Sequence, residues 1–155
     1  MDNYIIQMLD EYKDNEHGFI IELSQVLFDK TNYGEHLDRL DEIELTFYLI
    51  NELEMEVNNG GLDQYFFNSS GKNAKKAIAA LHKIEATFTA NLVQEAQKCY
   101  DGGWKGPLLR FFHLYNEDKQ LAEMDKFDKV FYEYRESISE LLINYIRKNL
   151  KEVVC

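Results

Sequence analysis

Residues 37–58 carry the strongest structural signal in this 155-residue chain. Their apolar side chains recur every three or four positions, which places them on one side of an α-helix with 3.6 residues per turn. They are Leu40, Ile43, Phe47, Ile50, Leu53 and Val57. We therefore predict a helix over 37–58, about 33 Å long, whose apolar stripe lies in a hydrophobic core. Glu54 projects into the stripe, so we expect it either to find a partner or to lie where the stripe leaves the core.

Most of the remaining chain shows the same periodicity, and we predict a single all-α domain over residues 1–155 with about seven or eight helices. The sequence contains one proline, Pro107, and few strand-like alternations. The other predicted helices cover 3–13, 19–28, 73–84, 87–100, 108–116, 121–134 and 138–151, and residues 62–68 are predicted to make a short turn or a single helical segment. Asn32 and Gly34 predict a loop over 29–35, and three glycines with Pro107 predict another over 101–107.

Residues 56–71 combine two adjacent glycines with three asparagines and three consecutive aromatic residues. Gly60 and Gly61 supply backbone conformations that end a helix at little cost, so we predict a structural corner here. The polar side chains either bond to the corner's own backbone, which we favour, or form a small-molecule pocket near Gln64, Tyr65 and Asn68. The predicted structural residues are Asn59, Gly60, Gly61, Gln64, Tyr65, Phe66, Asn68 and Gly71.

The net charge of −11 is distributed unevenly along the chain. Residues 1–70 carry 16 acidic and three basic side chains, a net charge of −13, whereas residues 71–155 have a net charge of +2. A negative field of this size repels nucleic acid and attracts a basic protein surface. We therefore predict a basic protein partner and no direct nucleic acid binding.

The predicted helix over 37–58 carries acidic side chains outside its apolar stripe, with Glu42 and Glu44 on the flanks of the stripe. We predict that five of them bind the partner: Asp38, Asp41, Glu42, Glu52 and Glu56. Carboxylates one helical turn apart can imitate part of the phosphate array of duplex DNA. Simple solvation is the alternative explanation, although it does not account for the uneven charge.

We predict no catalytic residue, metal site or cofactor, because the motifs that carry such chemistry are missing. The histidines never pair at i, i+4 spacing and no Cys-x-x-Cys occurs. Cys99 is interpreted as a buried thiol in an amphipathic helix. The N-terminus lacks a secretory pattern and no stretch has the length of a membrane span, so we expect a cytoplasmic protein.

Residues 59–71 and 121–132 resemble a bacterial family of domains of unknown function whose best-known member is a DNA-mimic protein. The first stretch follows the family's NGGxxQYFxNxxG motif, with Leu62 where phenylalanine is frequent. The second resembles a Leu-x-x-hydrophobic-Asp pattern followed by an aromatic pair, and the resemblance covers about residues 37–150. It implies an all-α fold that is often dimeric. For the mimic member it implies an acidic surface that occupies the DNA-binding site of a transcriptional regulator.

Three functional hypotheses follow from these observations. The first is a non-enzymatic DNA mimic that binds a basic nucleic-acid-binding protein such as a transcriptional regulator. The second is an immunity or antitoxin protein that neutralises a basic nuclease. The third is a small-molecule-binding or enzymatic domain with its pocket near Gln64, Tyr65 and Asn68.

Overall fold

A computed structural model describes residues 4–104 and 117–154 of the chain. Within these ranges the protein contains seven α-helices and no β-strand, which confirms the all-α prediction. The helices are α1 (Tyr4–Glu11), α2 (Glu16–Thr31), α3 (Glu42–Phe67), α4 (Ala74–Lys83), α5 (Thr87–Trp104), α6 (Glu117–Phe131) and α7 (Ile138–Val154). Short 3-10 helices cover Leu37–Arg39 and Ser69–Asn73. No described helix combines the length and apolarity that a membrane crossing requires.

The chain forms two compact units. The first contains the described residues of Met1–Asn51 and Ser137–Cys155, and the second contains those of Glu52–Glu136. In the first unit, α2 packs against α1, α7 and the 3-10 helix Leu37–Arg39. In the second unit, α5 packs against α4 and α6, and α4 also contacts the 3-10 helix Ser69–Asn73.

The core of the first unit is built from apolar stripes with helical spacing. Phe19, Leu23 and Leu27 lie on one face of α2 and are at most 1% exposed, which confirms the buried helix predicted over 19–28. The helix begins earlier than predicted, because the Asn15 side chain caps it by accepting a hydrogen bond from the Gly18 backbone N–H at 3.0 Å. The final helix is also confirmed and runs to Val154.

The predicted helix over 37–58 begins later than the sequence indicated. Residues Leu37–Arg39 form a 3-10 helix and Leu40 is extended, so α3 starts only at Glu42. Asp41 Oδ1 accepts hydrogen bonds from the Ile43 and Glu44 backbone N–H groups at 2.9 and 3.0 Å, and Glu44 Oε2 accepts one from Asp41 N at 2.9 Å. This reciprocal pair is a capping box, which satisfies N–H groups that lack helical partners.

Downstream of its start, α3 follows the prediction. Every residue of the predicted stripe except the half-buried Leu40 is buried. Gly60 and Gly61 leave the helical conformation, and helical structure then continues to Phe67, which confirms a helix break followed by a short helical segment.

Two boundaries in the second unit differ from the sequence predictions. Residues 101–104 were predicted as part of a loop, but they form the last turn of α5, where Gly102 is exposed and helical. Glycine in an exposed helical position costs only about 1 kcal/mol, which the rest of a long helix can offset. Helix α6 starts at Glu117, four residues before the predicted position. The predicted helix over 108–116 and the remainder of the predicted loop lie outside the described residues.

Candidate functional site

Residues 4–51 of the first unit expose nine carboxylates, which we call the acidic set; Glu140 on α7 is also exposed and is not counted in it. They lie on α1, on α2, on the segments that follow these helices, and on the first turn of α3. The members are Asp10, Glu11, Asp14, Glu16, Glu22, Asp29, Glu35, Asp38 and Glu42. Because α1 and the 3-10 helix Leu37–Arg39 both pack against α2, the elements that carry most of the set are neighbours.

Few cations within residues 4–51 offset the acidic set, although α7 of the same unit adds the half-buried Arg147 and the exposed Lys148. Residues 4–51 contain Lys13, Lys30 and Arg39 as their basic side chains. Lys30 Nζ donates hydrogen bonds to both carboxylate oxygens of Glu44, at 2.6 and 2.8 Å, so its charge is already matched. Lys13 and Arg39 are the exposed cations of this stretch, whose surface is therefore strongly negative and favours a basic partner.

Glu44 differs from the acidic set because its carboxylate is buried, with a side chain that is 2% exposed. The Tyr4 hydroxyl donates a hydrogen bond to its Oε1 at 2.6 Å, beside the bonds from Lys30. Burial alone would raise the pKa of Glu44, but the hydrogen bonds from Lys30, Tyr4 and Asp41 N and the Lys30 charge outweigh it and lower this pKa. Glu44 is therefore an ionised group inside the first unit.

The predicted partner-binding residues of the first unit differ in exposure. Asp38 and Glu42 are exposed members of the acidic set. Asp41 is half-buried, and its carboxylate is engaged in the cap of α3. The three residues therefore do not share one helical face, because the chain is extended at Leu40 and helical only from Glu42.

The two remaining predicted partner-binding residues, Glu52 and Glu56, belong to the second unit and are half-buried. One carboxylate oxygen of Glu52 is fully buried. Glu56 Oε2 accepts hydrogen bonds from Gln64 Nε2 at 2.9 Å and from Asn68 Nδ2 at 2.8 Å. The carboxylate of Glu56 is therefore directed towards residues that follow the helix break.

We call residues 56–71, together with residues 128–134 at and after the end of α6, the glycine corner. Gly61 has φ +79° and ψ 177°, a conformation that is essentially restricted to glycine. A side chain at this position would collide with the carboxylate of Asp128 on α6. Asp128 Oδ1 in turn accepts a hydrogen bond from the Leu62 backbone N–H at 2.8 Å. The helix break therefore contacts α6 directly.

Two tyrosines that follow α6 strengthen this contact. The Tyr132 hydroxyl donates a hydrogen bond to the Val57 carbonyl oxygen at 2.6 Å. Asn58 Nδ2 donates one to the Tyr134 hydroxyl oxygen at 2.8 Å. The two stretches that carry the family resemblance meet at the glycine corner through Leu62 and Asp128, which are 66 positions apart in sequence.

The predicted structural residues of the corner have identifiable packing roles. Gln64 and Asn68 both bind Glu56, while Tyr65 and Phe66 are buried. A side chain on Gly71 would collide with the backbone of Phe66, so the 3-10 turn after α3 requires glycine there. Asn59 is exposed, and Gly60 is one of the two residues that break the helix. Phe67 is 65% exposed and stays outside the core.

This geometry gives the small-molecule interpretation little support. The side-chain amides of Gln64 and Asn68 donate to Glu56 within the corner. The Tyr65 side chain is fully buried, and burial, with the nearby Glu52 and Glu56 carboxylates, raises the pKa of its hydroxyl. The three residues therefore make contacts within the second unit: Gln64 and Asn68 bind Glu56, and Tyr65 packs in the core.

A family comparison agrees with this structure. The model of the DMP19-like protein family matches residues 38–149, which is more than half of the chain. The chain belongs to the DMP19-like family. The matched range includes both residues 59–71 and residues 121–132. No curated protein and no solved structure matches the chain.

Glu54 is a carboxyl group with a strongly raised pKa in the range matched by the DMP19-like family. The sequence places this residue in the apolar stripe of α3, and the structure leaves its side chain half-buried. Burial raises the pKa of Glu54 to about 7. The second unit therefore contains a carboxyl group that changes charge near neutral pH.

The described histidines and cysteine form no metal cluster. Among residues 4–104 and 117–154, no group of three or more His, Cys, Asp and Glu side chains is arranged to hold a metal ion. His17 and His82 are exposed, and His36 and Cys99 are half-buried. His113 lies outside the described residues.

Sequence reasoning missed most of the acidic set. It concentrated on the helix over 37–58, whereas seven of the nine exposed carboxylates precede residue 37. The signal was present in the charge count, because residues 1–36 carry eight acidic and two basic side chains. Asp41-x-x-Glu44 was a second missed signal, since this spacing matches a capping box.

Proposed function

We propose that this member of the DMP19-like family is a non-enzymatic, cytoplasmic interaction protein that acts as a DNA mimic. Its partner is a basic nucleic-acid-binding protein such as a transcriptional regulator. The observation that supports the proposal is the acidic set, nine exposed carboxylates in a stretch whose exposed cations are Lys13 and Arg39.

Charge complementarity connects the acidic set to a DNA-binding partner. Proteins bind duplex DNA largely by placing Lys and Arg against its phosphates. Glu22 and Asp29 are seven residues apart on α2, so they project from the same side about 10 Å apart along the helix. Such carboxylates present negative charge to the same basic side chains that contact phosphates. Steered association of this kind weakens steeply as salt increases.

Family membership supports the proposal in a different way. The resemblance implies an acidic surface for the member of the family that mimics DNA, but the family match begins at residue 38. Seven members of the acidic set precede that position. The charge argument therefore comes from this chain itself, whereas the family match supports the helical framework that follows.

Affinity purification from the native host, followed by mass spectrometry and a DNA-displacement assay, tests the proposal. The unaltered protein should recover a DNA-binding protein at low salt and release DNA from it. A quadruple variant, Glu22→Lys, Asp29→Lys, Asp38→Lys and Glu42→Lys, should lose both activities. A control with the same charge change on the second unit, Glu85→Lys, Glu95→Lys, Asp125→Lys and Glu133→Lys, should keep them.

Three outcomes would contradict DNA mimicry. If no nucleic-acid-binding protein were recovered, the proposed class of partner would be wrong. If both quadruple variants bound the partner equally, the acidic set would not be the binding surface. Recovery of a basic nuclease whose activity the protein blocks would instead establish the immunity hypothesis. A thermal-shift screen tests the enzymatic hypothesis, because a ligand at about a hundred times its dissociation constant adds about 2.7 kcal/mol to stability.

A further inference from the structure

A cleft of about 290 Å³ lies in the second unit between α4 and α5. Helix α5 contributes residues with i, i+3, i+4 and i+7 spacing, which share one face of the helix. The lining consists of Lys75 and Ile78 from α4 and of Gln94, Gln97, Lys98 and Asp101 from α5. None of these residues belongs to the acidic set or to the glycine corner.

The α4 side of this cleft is basic, although the protein as a whole is acidic. Residues 64–84 contain four lysines and no aspartate or glutamate. Lys75 is exposed and forms no ion pair within the described part of the chain. Lys98 contacts Glu95 at 2.6 Å, but the two side chains are 63% and 59% exposed, so this ion pair contributes little and can open at low cost. The cleft therefore offers two ammonium groups to an anion.

We propose that the cleft binds a small phosphate ester that carries hydroxyl groups, of the sugar phosphate class. Lys75 and Lys98 contact the phosphate through charge-assisted hydrogen bonds. The amides of Gln94 and Gln97 and the carboxylate of Asp101 provide donors and acceptors for hydroxyl groups.

Three properties of the cleft select this ligand class. Ile78 is 7% exposed and gives the cleft an apolar floor, against which the C–H face of a sugar ring can pack. A volume of about 290 Å³ is close to the lower limit of small-molecule sites, which favours one sugar unit over a larger ligand. Asp101 places negative charge in the cleft, which disfavours a continuous polyanion such as nucleic acid.

Backbone amide NMR of the full chain, titrated with ribose 5-phosphate, ribose, inorganic phosphate and sodium chloride at matched ionic strength, tests this assignment. Ribose 5-phosphate should cause saturable shifts confined to α4 and α5, with weaker binding of inorganic phosphate and no response to ribose. The double variant Lys75→Gln with Lys98→Gln should lower the affinity at least about tenfold, because it removes two charge-assisted contacts. Lys72→Gln with Lys76→Gln makes the same charge change outside the lining residues and should change the affinity less than about twofold.

Several results would overturn the assignment. Equal loss in the two double variants would show a non-specific charge effect, and shifts that follow ionic strength alone would show no site. Equal affinity for inorganic phosphate and ribose 5-phosphate would remove the role of the hydroxyl contacts. Tighter binding of a short single-stranded oligonucleotide would replace the sugar phosphate with nucleic acid. Variants at Glu22 and Asp29 should leave the ribose 5-phosphate titration unchanged. A failure of the sugar phosphate proposal can therefore be distinguished from a failure of DNA mimicry.

Discussion

Carboxylates of the acidic set are exposed, whereas Glu56 and Asp128 of the glycine corner are half-buried and accept hydrogen bonds within the second unit. Glu22 and Asp38 are exposed in the first unit. In the second unit, Glu56 accepts hydrogen bonds from two side-chain amides and Asp128 accepts one from the Leu62 backbone N–H. The same residue type thus serves an outer surface in one region and internal packing in the other. Substitutions should separate the two regions, with changes in stability at the corner and changes in binding at the acidic set.

Gly61→Ala should cause the largest loss of stability. The substitution adds a side chain where φ is +79° and where the Asp128 carboxylate already occupies the space. We expect a loss of about 3 kcal/mol in the free energy of unfolding, measured by urea denaturation. Gly102→Ala is the matched control, because its added methyl group meets no atom within 4 Å and replaces glycine in a helix. It should be neutral or stabilising by up to about 1 kcal/mol, and equal losses in both variants would contradict the packing role of Gly61.

Glu44→Gln should destabilise the protein by about 2 kcal/mol at pH 7, because the buried side chain loses its charged pairing with the partly exposed Lys30. The folded-state pKa of Glu44 is lowered, so its ionisation stabilises the fold above the ordinary value of 4.5 and this contribution is lost as pH falls through the lowered value. The difference from the unaltered protein should therefore be constant from pH 6 to 8 and shrink in acid. Glu22→Gln, an exposed control, should change stability by less than about 0.5 kcal/mol at every pH. A Glu44→Gln effect that grew in acid would contradict this pairing.

Periodicity predicted the helices well because burial of a regular stripe dominates their formation. It could not separate exposed from engaged carboxylates, since Glu56 and Glu42 look alike on a helical projection. The distinction depends on partners such as Gln64 and Asn68, which reach Glu56 only after the break at Gly60 and Gly61. Composition identified the corner as structural, but its contact with Asp128 joins residues 66 positions apart and has no local signal.

Glu54→Gln should stabilise the second unit at alkaline pH and have little effect in acid. The folded-state pKa is raised to about 7 by burial, against an ordinary value of 4.5. The protonated side chain is tolerated in the fold at low pH, and the stability of the unaltered protein falls as pH rises from about 4.5 through 7. Because glutamine stays neutral, the free energy of unfolding of the variant should exceed that of the unaltered protein by about 1 to 2 kcal/mol at pH 8 and by almost nothing at pH 4.5.

Chemical denaturation at these two pH values measures the effect of Glu54→Gln. Glu85→Gln is an exposed control in the same unit and should show no such difference. A gain from Glu54→Gln that was equal at both pH values would place the effect in packing, and the pKa argument would then fail.

Glu22→Lys with Asp29→Lys should have the smallest effect on stability and a clear effect on binding. Both side chains are exposed, so the free energy of unfolding should change by less than about 0.5 kcal/mol. Retention of the partner should nevertheless fall, because the double variant reverses two charges on the outward side of α2. Glu56→Gln provides the opposite control, since its carboxylate binds Gln64 and Asn68; it should lower stability by about 1 kcal/mol and retain the partner. If Glu56→Gln lost the partner while Glu22→Lys with Asp29→Lys kept it, the two regions would have to exchange roles, and the binding surface would lie at the glycine corner.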